Sequence, residues 1–178
     1  MGLIASAEPD SGLQLHGTVL ASCEPRATIA FLEEVVGLKR SGAGFLFAGD
    51  NPLDNQVMVH PGLPGAPEGV AGSGTWHHVA LLVDSPEDLN ALQARLEARS
   101  WACERSVQPW FETLSFHEPG GILLVCATGE PGLHADEPGP LGAKLCLPAR
   151  FEPYRDAIVQ AIGPVAAGEG TPRPDAQP

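Results

Sequence analysis

The stretch from Gly74 to Glu137 admits few folds, because strand, cap, helix and turn signals succeed one another in it without a gap. Trp76–Val83 (WHHVALLV) ends in a short apolar run and reads as a strand. Ser85-Pro86-Glu87-Asp88 then gives a helix start. The Ser85 hydroxyl can accept a free backbone N–H, Pro86 suits the first helical position, and Asp88 stands where the acid of a capping box stands. Leu89, Leu92 and Leu96 recur at helical spacing, which predicts a helix over Pro86–Arg99 with one buried stripe. Further strands are expected around Ser106–Val107, Glu112–Phe116 and Ile122–Ala127, the last two joined by a Pro119-Gly120-Gly121 turn.

The same order occurs, more weakly, earlier in the chain. Leu13–Leu20 (LQLHGTVL) is strand-like. The spacing of Ile29, Leu32 and Val35/Val36 predicts a helix over Pro25–Val36 that stops at Gly37. Gly44–Phe47 (GFLF) and Gln56–Val59 (QVMV) read as short strands, and the Pro- and Gly-rich Pro61–Gly74 as the link between copies. His16 and His78 occupy matching places in the two copies. The expected class is α+β, with modules at 13–62 and 74–128, each leaving one apolar sheet face that must be buried against another layer. A C-terminal extension over 129–165 carries a helix near Phe151–Ile162. Residues 1–12 and 166–178, rich in small residues, Pro and charge, are expected to be disordered.

A chain of 178 residues with 43% hydrophobic residues can build a real core. Its net charge of -12 excludes nucleic acid and an anionic membrane surface as natural partners. No run is long and apolar enough for a membrane span, and the start lacks the basic flank and apolar stretch of a secretory leader, so a cytoplasmic protein is expected. Cys23, Cys103, Cys126 and Cys146 show no C-x-x-C pairing and read as reduced thiols.

GTWHHVALLVDSPEDLNALQARLEARSW, followed by WFETLSFHEPGGILLVCATGEPGLHADE, resembles one βαβββ module of the vicinal oxygen chelate superfamily, which includes glyoxalases, bleomycin resistance proteins and extradiol dioxygenases. The resemblance is closest to the C-terminal half of ring-cleaving dioxygenases of the hydroquinone type. It continues through Pro-Gly, Asp-Glu, Leu-Gly and Leu-Pro to a helix with Arg155 and a closing Pro164, and covers Leu13 to Val165. It implies paired modules that form a cup. It also implies Fe(II) or Mn(II) held by two histidines and a carboxylate, with open positions for substrate oxygens and O₂. His78, directly before Val-Ala, matches one metal ligand, and His16 is the candidate for the other, although the family's matching ligand usually lies in a more N-terminal module. Val125 stands at the glutamate position, so metal binding is expected to be weak or absent. Gln108 replaces the family's arginine and Ser115 its tyrosine. Family members carry a further pair of modules, and a homodimer is expected here to complete the cup.

Strand alternation on this reading lines a pocket with Thr18 and Leu20 beside His16, and with Ala80 and Leu82 beside His78. Phe111, Thr113 and Ser115 join them from one strand, and Leu123, Val125 and Ala127 from another. Thr18, Phe111, Thr113, Ser115 and Val125, with Gln108 added by the resemblance, are the candidate ligand contacts. A filled core between two curved sheets is the bland alternative. His77 is expected on the opposite face from His78, His60 is a candidate substitute ligand, and His117 should be exposed. Three functions remain open. The first is metal-dependent dioxygenase or glyoxalase-type lyase chemistry on a dihydroxyaromatic compound. The second is metal-free binding of a small hydrophobic or aromatic molecule, and the third is a subunit that needs a partner chain.

Overall fold

The computed structural model of the chain describes residues 2–8, 12–42, 44–51, 55–62, 72–73, 75–137 and 145–163. Most of the expected linker and all of the expected tail lie outside them. The described residues form two compact units, Met1–Ser106 with Glu112–Thr128, and Val107–Phe111 with Gly129–Pro178.

The first unit holds both copies of the repeat. In the first copy, strand β2 (Gly12–Ser22) is succeeded by helix α1 (Pro25–Phe31), which runs on into a π-helical turn over Leu32–Val36. Strands β3 (Lys39–Gly42), β4 (Phe45–Phe47) and β5 (Gln56–Pro61) complete it. The second copy runs β6 (Val79–Val83), α2 (Pro86–Glu97), β7 (Glu104–Val107), β8 (Glu112–His117) and β9 (Leu123–Thr128). The sheet orders are β2-β5-β4-β3 and β6-β9-β8-β7, so the two copies share one topology. In each, the first and last strands pair in parallel, β2 with β5 and β6 with β9, as a strand–helix crossover requires.

The copies differ at the free edge of the first strand. Residues 1–12 were expected to be disordered, but Gly2–Glu8 forms a strand, β1, antiparallel to β2, so the first sheet has five strands. Among the described residues β6 has no such cover and is an edge strand. Strand β3 is also absent from the sequence reading. Its four residues are all exposed, so it carries no apolar alternation and owes its form to pairing with β4.

One apolar core joins both copies. It takes Leu20, Leu46, Val57 and Val59 from the first sheet, Phe31, Leu32 and Val35 from the first helical segment, Leu89, Leu92 and Leu96 from α2, and Leu114, Phe116, Leu124 and Cys126 from the second sheet. Phe31 crosses between the copies, its ring 4.9 Å from Trp101 and 5.9 Å from Phe116, both tilted. Beside it lies a buried polar junction. Glu118, only 2% exposed, accepts the Thr28 hydroxyl from α1 and the N–H groups of Gly120 and Ile122 at 2.8 Å each. Thr28 in turn bonds the Ser22 hydroxyl at 2.7 Å. Gly120 has no room for a side chain, since a Cβ would lie 2.2 Å from Ser22 Oγ.

The second unit contains a 3₁₀ segment, Ala149–Tyr154, that leads into helix α3 (Arg155–Ile162), the C-terminal helix expected from the sequence. Among the described residues no helix is long and apolar enough to cross a membrane.

The junction makes a specific prediction. Glu118→Gln turns an amide donor against hydrogen-bond donors in a buried site, and should cost about 1–3 kcal/mol. Gly120→Ala should cost a similar amount, on the order of 1–3 kcal/mol, by overpacking against Ser22. Urea denaturation checks both, and an unchanged midpoint for both variants would show the junction to be dispensable.

Candidate functional site

Each copy brings one histidine to the entry of its first strand, by different local means. The β1–β2 register places Ile4 opposite Gly17 and Ala5 opposite Leu15, so His16 is the extra residue of a β-bulge. Bulges re-aim a side chain and break the alternation that regular pairing gives. Gly17, next to it, lets β5 approach closely, since a Cβ there would lie 2.3 Å from the Gln56 carbonyl oxygen. His78 directly precedes β6. His77 was expected on the opposite face, but the strand begins only at Val79, so alternation does not reach it. Its ring instead lies against that of His78, with Nδ1 atoms 2.9 Å apart and the planes nearly perpendicular.

His16 and His78 line one cavity of about 660 Å³. It runs along the uncovered β6 strand, reaches β2 and β5 at Gly17, Thr18, Gln56 and Val57, and is bordered by Val36–Leu38. Helix α2 turns Asp88, Leu92 and Arg95 toward it, with Cys126 behind them. Arg95 is half-buried and donates from Nε to the Val35 carbonyl at 2.7 Å. Cys126 is fully buried, and burial pushes its thiol up to about 12, against the opposing effect of the Arg95 charge.

The other candidate residues fall in several places. Thr18, Ala80 and Leu82 line the cavity, as does Trp76, which is 58% exposed. Leu20 does not: it is wholly buried in the core, which corrects its placement in the pocket. Thr113, Ser115, Leu123, Val125 and Ala127 are outside the cavity lining. They lie on the face of the second sheet turned away from the core, in cross-strand rows Ala80–Val125–Ser115 and Leu82–Ala127–Thr113. Gln108 and Phe111 belong to the second unit, where the Gln108 N–H bonds the Phe111 carbonyl at 2.9 Å. His60 bonds the Pro61 carbonyl through Nδ1 at 2.6 Å and is not on the cavity lining, and His117 is exposed. A smaller cavity of about 330 Å³ in the second unit is lined by Asp136, Cys146 and Arg155, whose guanidinium is held by Glu152 and the Leu145 carbonyl.

The donor set decides whether a divalent iron or manganese fits. Such a site in an extradiol enzyme needs two histidines and a carboxylate on one face of the metal. Here Val125 offers no donor atom, and among the described residues no group of three His, Cys, Asp or Glu side chains stands close enough to hold an ion. The residues present do not fit a three-ligand centre.

Two matching strand–helix–three-strand copies, with parallel outer pairs and a histidine at the head of each, define a protein of the glyoxalase type. The chain belongs to the Glyoxalase/Bleomycin resistance protein/Dioxygenase superfamily, whose model matches residues 14–125. It is 32% identical over 173 residues to the Bacillus subtilis (strain 168) protein named "Putative ring-cleaving dioxygenase MhqO", covering 90% of this chain and 53% of that one. A second protein of that strain, "Putative ring-cleaving dioxygenase MhqE", is 32% identical over 83% of this chain and 50% of its own length. The crystal structure of a "putative dioxygenase" from Bacillus subtilis subsp. subtilis str. 168 matches at 31% identity with a TM-score of 0.69, over 85% of this chain and 50% of that one. The chain thus spans about half the length of the relatives it matches.

Arg95 is absent from the sequence reading. One signal for it was available: Asp88, Leu92 and Arg95 recur at helical spacing, so the helix carries a second, mixed stripe beside its leucines.

The thiols give a test with a defined pH sign. The folded Cys126 thiol holds its proton up to about 12, whereas an ordinary thiol loses it near 9.0. Its contribution to stability is therefore complete below pH 9 and is lost as pH rises from there toward 12. At pH 8 iodoacetamide should label exposed Cys23 in the folded protein and leave Cys126 unmodified until denaturant is added. Peptide mapping reads this directly, and rapid labelling of Cys126 in the native state would contradict it.

Proposed function

We propose that the chain is a ring-cleaving-dioxygenase-like protein with a degenerate metal site that binds a small aromatic compound in the cavity along β6. The observation that carries this reading is the shared cavity. The two histidines at matching positions of the repeat both line it, and Leu38, Val57, Leu81 and Leu92 supply an apolar wall. A volume of about 660 Å³ with a few polar groups suits a ligand of one or two rings. With valine in place of the carboxylate, metal-free binding is the favoured mode, and the histidines serve as hydrogen-bond partners for ligand oxygens.

The test combines binding and metal content. Hydroquinone, titrated calorimetrically, should bind the wild type. Ala80→Trp, which fills the cavity from an exposed strand position, should weaken binding by about tenfold or more without lowering the melting temperature. Anaerobically purified protein should hold far less than one iron or manganese per chain. Stoichiometric metal that resists chelators in the wild type would return the reading to catalysis by the family's mechanism.

A second reading adds a partner copy, and it rests on the faces left open. Leu82 is 74% exposed, Trp76 58% and Phe45 37%, on or next to uncovered sheet surface. Apolar side chains in such positions favour association, and a closed two-fold pair is the commonest form it takes. Sedimentation at micromolar concentration should give twice the 18.6 kDa chain mass. A single 18.6 kDa species, unchanged on tenfold concentration, would exclude the homodimer.

A further inference from the structure

We infer that the cavity selects anionic aromatic compounds, with Arg95 as the group that receives the ligand's carboxylate or phenolate oxygen. The inference rests on the reading of the cavity as a ligand site and adds the chemical class of the ligand. Among the described residues, Arg95 is the one side chain on the lining that stays cationic at any working pH. Its Nε is tied to the Val35 carbonyl at 2.7 Å, which fixes the guanidinium against the first copy. Among the described residues its two terminal nitrogens have no hydrogen-bond partner. The contrast with three other arginines is informative. Arg40, Arg105 and Arg155 are each neutralised by a glutamate, Glu33, Glu112 and Glu152. Arg95 is half-buried at a cavity wall without such a carboxylate. A planar fork with its back atom anchored and its front atoms unused is the geometry that grips a carboxylate.

The surroundings fit this role. Two acids, Asp84 and Asp88, also face the cavity. Asp88 precedes Arg95 by seven residues on the helix, about 10 Å along its axis. Its carboxylate accepts the Ser85 hydroxyl at 2.6 Å, which holds it at the helix start. The acids therefore mark one end of the cavity and Arg95 the other. Next to Arg95 the lining is apolar, with Leu92, Val36 and Leu38 placed to hold a ring. The neutral Cys126 thiol brings no competing charge.

Two probes that differ only by a carboxylate decide the matter: 2,5-dihydroxybenzoate and hydroquinone, titrated calorimetrically with a chelator present. The wild type should bind 2,5-dihydroxybenzoate about tenfold or more tightly than hydroquinone. Arg95→Gln should abolish that preference by weakening 2,5-dihydroxybenzoate about tenfold or more beyond any change for hydroquinone, while Arg95→Lys should keep part of it. Equal affinity of the wild type for both probes would overturn the anion role and leave the aromatic-binding reading standing. An equal loss for both probes in Arg95→Gln, with no rescue by lysine, would reduce Arg95 to a support for the Val35 segment and overturn the inference. If neither probe binds the wild type, the cavity reading fails and the inference falls with it.

Discussion

The burial of the first copy's helical segment against the second copy governs the arrangement of the first unit. A sheet with one helix on it leaves more apolar surface than that helix covers, so each copy is unstable alone. Phe31 resolves this by packing on Trp101 and Phe116 of the other copy, with Leu32 and Val35 continuing the same core. The helix-facing sides of both sheets are thus committed to one interior. The opposite sides, with Val125, Ser115 and Thr113 on the second sheet, stay free of that core. The glutamate junction supports the same arrangement with direction. Thr28 on α1 must meet Glu118 on the β8–β9 turn, and Gly120 must be there to let Ser22 in. Apolar packing supplies the affinity between the copies, and the hydrogen bonds fix their register.

The cavity is a consequence of how the copies meet at their first strands. In the first sheet β1 covers the outer edge of β2, while in the second sheet the β6 edge has no neighbouring strand among the described residues. An uncovered edge leaves room along it, and Gly37, Leu38 and the start of β5 close that room from the first copy. This explains why both faces of β6 contribute to the lining, and why the site lies beside the second sheet's edge instead of on its open face. It also explains why Val125, a strand inward, is outside the lining although it pairs with Ala80, which is inside.

Elements with their own local chemistry were legible in the sequence. The Ser85 cap is observed, its side chain accepting the Asp88 N–H at 3.2 Å, and the helix runs Pro86–Glu97. It ends two residues short of Arg99, where the chain turns through Ser100 at positive φ. The helical pattern of Pro25–Val36 was also readable, though its second half is π-helical, closed by Gly37 at φ 94. What depended on a distant partner was not readable. Strand β1 lacks a strong pattern and exists by pairing with β2, and the bulge at His16 exists only because of that pairing. Leu20, expected in the pocket two residues beyond Thr18, belongs to the core. The site obeys the same rule. The repeat pointed to His16 and His78 as a pair, and both line one cavity, because matching positions in matching modules are a sequence property. The role of Arg95 was hidden, because on one helix it is an ordinary charged residue and only the approach of Val35 from the other copy gives it an anchor.

An acidic chain that selects an acidic ligand requires long-range and short-range electrostatics to act in opposite senses. With a net charge of -12 the surface repels an anion at a distance, which slows association at low ionic strength. At roughly physiological salt the screening length is about 8 Å, so most of those exposed carboxylates are not felt inside the cavity. What acts there is the immediate wall. A half-buried guanidinium in contact with the ligand is screened far less than an exposed charge, and its field is strengthened by the apolar residues around it. The distant charge then affects the rate of entry while Arg95 governs the time of residence, a division that mutation and salt can separate. Asp84 and Asp88 fit the same logic. At the far end of the cavity they disfavour an anion seated the wrong way round, so that one cation and two acids on a single lining orient a ligand as well as hold it.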